Sequence, residues 1–236
     1  MNKCTLTLSA LALALASTAA QADKIVFAIG GPPGSLQGQT SQYFADALQE
    51  RLGDAHEVEY YHSGQIGDER QLIQKLRTPQ SEWRTRMFET WGANPTPMAF
   101  SEVFVALQTG VVDGQENPLS NINGAKFQEV QDYLSLSNHV YSPIWLTAGK
   151  GGWEKLPEDV RSAIQEVAVE TQGWALAKGE QLDSELVSVL EEGGMAVNMV
   201  DRGAFVEASA PVYEAFANQV DGAQDLIDRA MALAEE

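Results

Sequence analysis

The 236-residue chain carries 33 acidic against 15 basic residues, a net charge of −18 and a pI near 4.4. So negative a surface excludes nucleic acid and anionic membrane as partners, because both require a basic face. Its one cysteine, Cys4, lies in the first few residues.

Residues 1–22 read as a secretory signal peptide: Lys3 gives a short basic start, LTLSALALALA an apolar run, and Ala20-Gln21-Ala22 the small residues of a cleavage site. The run is too short to span a bilayer, and no later stretch is apolar enough to do so. Asp23 is therefore the expected mature start, in a protein soluble in an exported compartment. Loss of Cys4 with the leader leaves no disulfide, thiol nucleophile or thiolate metal site.

Lys24–Ile29, KIVFAI, has the composition of a short strand, and the loop GGPPGS follows. That loop is not a phosphate cradle, because Pro32 and Pro33 have no N–H to donate and no P-loop lysine follows. Tyr43, Phe44, Ala47, Leu48 and Leu52 recur at helical spacing, with Gly53 as a stop. His56–Tyr61 alternates as a second strand. Asp68 with Gln71 makes a capping-box signature for a helix ERQLIQKL. This β-α-β-α order predicts an α/β unit with a parallel sheet.

The helix runs without a linker into Arg77-Thr78-Pro79. Ser81–Trp91 looks helical and ends at Gly92. Ser101 is expected to cap a helix EVFVALQT that stops at Gly110. VVDGQENP reads as a short strand breaking into a turn, and Leu134–Thr147 as β-type segments around His139. From Pro157 to Glu192 the pattern stays helical, on the order of 50 Å at 1.5 Å per residue, long enough to brace two lobes. MAVNMV is a last strand, and two amphipathic helices close the chain.

The three histidines have no partners at zinc spacing, no GxSxG elbow is present, and Glu191 and Glu192 read as a solvated face. What remains suits a small anion. Pro79 holds the residue before it, Thr78, extended, so the local chain can present the Arg77 guanidinium in a fixed direction, and a guanidinium clamps a carboxylate through two parallel hydrogen bonds. Asn117 offers a donor and an acceptor, and Phe100 an apolar wall. Taken singly, each is also an ordinary surface ion pair, turn former or core residue.

Thr90–Pro118, TWGANPTPMAFSEVFVALQTGVVDGQENP, resembles in order and spacing the signature region of the periplasmic solute-binding subunits of TRAP transporters, the DctP-like family. KFQEVQDYLSLSNHVY, LPEDVRSAIQEVA and SGQIGDERQLIQKL extend the resemblance over nearly all of the mature chain. It implies a two-lobed α/β fold with a bridging helix, closing around an organic acid, a sugar acid or a dicarboxylate. No cofactor and no metal are implied, and the partner is a TRAP membrane permease. Lys75-Leu76-Arg77-Thr78-Pro79 fits the family's arginine strand, making Arg77 the carboxylate clamp. Phe100 then becomes a pocket wall, Asn117 a polar ligand contact, and Glu69 a carboxylate receiving ligand hydroxyls. Glu116 and His139 form a supporting network. Gly30 stands where some relatives have asparagine, so that contact does not carry over.

In the family a long block separates the helix resembling DERQLIQKL from the arginine strand, and here it is missing. The expected organisation is a signal peptide (1–22), an incomplete first lobe (23–76) and a second lobe with the bridging helix and C-terminal helices (77–236). A remnant below about 60 residues buries too little surface to be secure alone. A binding subunit is the leading reading and a non-functional, internally deleted remnant its alternative. An exported enzyme comes last, since no nucleophile, metal set or acid/base pair is visible.

Overall fold

A computed structural model describes residues 23–66 and 80–233. Strand β1 (Asp23–Ala28), helix α1 (Leu36–Leu52) and strand β2 (His56–Tyr61) form the βαβ unit expected from the sequence. The two strands run parallel, from Asp23 opposite His56 to Ala28 opposite Tyr61. Ser35 starts α1: its Oγ accepts from Gly38 N at 3.0 Å and donates to Pro32 O at 2.8 Å, folding the GGPPGS loop onto the first turn. At the other end Gly53, at φ 59°, takes the left-handed conformation that a Cβ would penalise. Phe44 and Leu48 of α1 are buried beneath Ile25, Phe27 and Val58 of the sheet. The helix predicted after Asp68 lies outside the described residues.

Helix α2 (Gln80–Thr90) is followed by α3 (Phe100–Gln108), α4 (Leu119–Gly124), strand β3 (Tyr133–Leu136) and a short α5 (Lys150–Trp153). Then comes the long helix α6 (Glu158–Glu192), starting one residue after Pro157 as the sequence predicts. Strand β4 (Ala196–Met199) pairs in parallel with β3. The chain closes with α7 (Arg202–Ala208), α8 (Ala210–Gln219) and α9 (Ala223–Leu233).

Two apolar cores result, and α6 belongs to both. Its first half contributes Ala163 and Val167 to the core of Phe44 and Leu48. Its far end contributes Leu190 to a second core with Val103 and Leu107 of α3, Ile122 of α4, Phe127, Leu134 of β3 and Met195. Two further ties hold α1 against the first half: Tyr43 stacks on Trp174 with centroids 4.8 Å apart, and Arg51 reaches Glu166 at 2.5 Å and Glu170 at 2.6 Å.

Four local expectations are corrected. Ser101 is inside α3 and does not cap it, because Glu102 N already bonds Ala99 O at 2.9 Å and closes the first turn there. Val111 and Val112 form no strand: both amides point back to Ala106 O, at 2.8 and 3.4 Å, in the winding-off of α3 around Gly110. The β-type stretch from Leu134 to Thr147 is strand only to Leu136, since Asn138 at φ 47° breaks the extended run. Among the described residues three helices, not two, follow β4, with Ser209 separating α7 from α8 and Gly222 at φ 76° preceding α9.

Candidate functional site

The turn Asp113–Pro118 joins α3 to α4 and is fixed at both ends. Gly110, at φ 69°, lets its own amide bond Leu107 O at 3.1 Å while Val111 N reaches Ala106 O, so the end of α3 is fully wound. Pro118 O accepts from Asn121 N at 2.9 Å and from Ile122 N at 3.1 Å, starting α4. Between them Asn117 Nδ2 donates to Gln115 Oε1 at 2.7 Å, and Asn117 Oδ1 accepts from Asn121 Nδ2 at 3.3 Å. Its carboxamide is thereby oriented by its own turn and by the first turn of α4.

Glu116 is engaged on both oxygens. Arg84 of α2 donates from Nη1 to Oε1 at 2.9 Å, and His139 Nε2 stands 3.4 Å from Oε2, an ion-pair distance. Arg84 Nη2 also donates to Ser142 Oγ at 3.3 Å. His139 shares a 2.6 Å hydrogen bond between Nδ1 and Ser137 Oγ, and the rings of Phe88 and Trp91 meet it nearly edge-on with centroids at 5.6 Å. The left-handed Asn138 turns the chain at the point where His139 meets this cluster. Burial pushes the Glu116 carboxyl up, but the adjacent His139 and the Arg84 charge outweigh it and hold it below the usual glutamate range.

Of the six residues singled out from the sequence, the structure brings Glu116, Asn117 and His139 into one neighbourhood. Phe100 opens α3 half-buried against the second core, its ring centroid 5.6 Å from that of Phe127. Arg77 and Glu69 lie outside the described residues. Arg84 was missed, although a signal was present: Arg84 and Phe88 sit at i and i+4 on one face of α2, and Trp91 follows one residue past its end. Among the described residues no group of three or more His, Cys, Asp or Glu could hold a metal, and no helix is long and apolar enough to cross a membrane.

Two parallel αβ units packed on one long helix make a two-lobed α/β fold. A TRAP periplasmic solute-binding protein from Roseobacter denitrificans, solved with bound L-galactonate, has this fold, with a TM-score of 0.79 at 22% identity, covering 89% of this chain and 98% of that one. The chain belongs to the DctP family, described as bacterial extracellular solute-binding protein, family 7, whose model matches residues 72–219. Over the matching segments that Roseobacter protein is 44% identical across 137 residues, 57% of this chain and 42% of its own length. The sialic acid-binding periplasmic protein SiaP of Vibrio cholerae is 38% identical over 147 residues, 62% of this chain and 46% of its own. The chain thus spans about half the length of the curated relatives it matches.

Proposed function

We propose that this chain is the extracytoplasmic solute-binding subunit of a TRAP-type transporter, capturing a sugar acid and delivering it to membrane permease subunits. Membership of the solute-binding family across residues 72–219 carries the reading. In it Arg77 pairs with the ligand carboxylate, Asn117 and Phe100 contact and wall the ligand, and Glu69 receives hydroxyls. Glu116 and His139 hold the polar side of the site. A sugar acid is favoured over a plain dicarboxylate because Glu69 suits hydroxyl groups and because the Roseobacter relative holds L-galactonate. Micromolar affinity corresponds to about −8 kcal/mol, and charge-assisted hydrogen bonds contribute roughly 1.5 to 3 kcal/mol each, so one arginine clamp, one carboxamide and cleft closure reach it in an intact cleft, and loss of half the cleft removes several kcal/mol.

A second reading is a remnant that no longer binds, and the halved span relative to curated relatives favours it. Melting curves of residues 23–236 with a panel of aldonates, uronates and C4-dicarboxylates separate the two. A cooperative transition raised by a sugar acid is expected, and Arg77→Ala should lower the affinity by at least 100-fold. Absence of any ligand-induced shift across the panel favours the remnant.

A further inference from the structure

We propose that Arg84 is a positioning residue for the ligand site, fixing the Asn117 turn through Glu116; the inference rests on the binding role proposed for Asn117. Of the restraints on Asn117 itself, Gln115 belongs to the same turn and moves with it, while Asn121 holds it from the first turn of α4. Among the described residues, two longer-range hydrogen bonds tie the turn to the rest of the molecule, beside the His139–Glu116 contact. Gln131 Nε2 donates to Asp113 O at 3.1 Å at its start, and Arg84 donates to Glu116 next to Asn117. The guanidinium spreads its donors over two segments, Glu116 of the turn and Ser142 of the stretch after β3. It therefore sets the position of both relative to α2, which a lysine's single ammonium does less well.

An exposed pair of this kind would count for little, because solvent screens it and two side chains lose freedom. Here the pair is partly shielded: Arg84 keeps 37% of its side-chain surface exposed, but Glu116 keeps 26% and His139 17%, and Phe88 and Trp91 close over the histidine. Among the described residues, removing Arg84 leaves the Glu116 carboxylate facing His139 alone, in surroundings that disfavour its charge. Besides Arg84, Glu116 and His139, no charged group is recorded in contact with the cluster among the described residues.

The test compares Arg84→Ala and Arg84→Lys with wild type on the 23–236 chain. Calorimetry with galactonate is expected to show about tenfold weaker binding for Arg84→Ala, partial recovery with lysine, and loss of affinity on acidification beginning at higher pH than in wild type. NMR without ligand is expected to show the Asn117 side-chain amide signals shifted by Arg84→Ala and largely restored by Arg84→Lys. Unchanged amide signals, or unchanged galactonate affinity in a wild-type background that binds, overturn the inference. If wild type takes no sugar acid, the proposed function falls, and the ligand-free NMR comparison still decides whether Arg84 holds the turn.

Discussion

Gly38 has no room for a side chain. A Cβ there would lie 2.3 Å from Pro32 O and 2.6 Å from Pro33 O, both backbone atoms that no rotamer change can move. Gly38→Ala should therefore cost about 1–3 kcal/mol through overpacking, read as a lower urea midpoint at unchanged slope. Glu116 gives a second residue-scale prediction, in pH. Its folded pKa is depressed, so its ionisation stabilises the fold above the unfolded value of about 4.3, and that contribution is lost as pH falls through the lower folded value. Other carboxylates titrate in the same window. The difference between wild type and Glu116→Gln isolates this one: the gap in unfolding free energy should be constant near neutral pH and shrink below about pH 4.

At the scale of elements, periodicity made α1 and α6 legible, because buried residues at three- and four-residue spacing leave a pattern in the sequence. Val160, Ala163, Val167 and Thr171 are buried on α6, and then Leu182, Leu186 and Leu190. The strands β1 and β2 were legible from composition and β4 from its short apolar run. What the sequence concealed was decided by competition for backbone donors. Val111-Val112 has strand composition, yet its amides serve the end of α3. Ser101 has capping chemistry, but Ala99 already occupies that place. The site was half legible: Glu116, Asn117 and His139 followed from the family pattern, while Arg84 became visible only once α2 stood beside the turn. Leu190 has no exposed surface and sits where α6 enters the second core. Leu190→Ala is expected to lower stability by about 2–5 kcal/mol, measured by chemical unfolding, with a smaller effect contradicting its place in that core.

The whole molecule depends on α6 serving two cores, since each sheet among the described residues has only two strands and an isolated pair of strands is marginal in water. Each pair is stable because a helix covers it, and α6 is shared by both. No fully buried residue of α6 falls between Thr171 and Leu182, although Gly179 lies close to Leu36 at the start of α1. The interval has a phase. Eleven positions at 3.6 residues per turn amount to about three full turns, so the face that meets the first lobe and the face that meets the second point the same way. Inserting one residue in that interval would rotate one face by about 100° against the other, and the two lobes could no longer both keep their grip. The middle of α6 thus acts as a spacer whose length matters by whole turns, fixed in count and constrained in composition only where Trp174 and Gly179 meet α1.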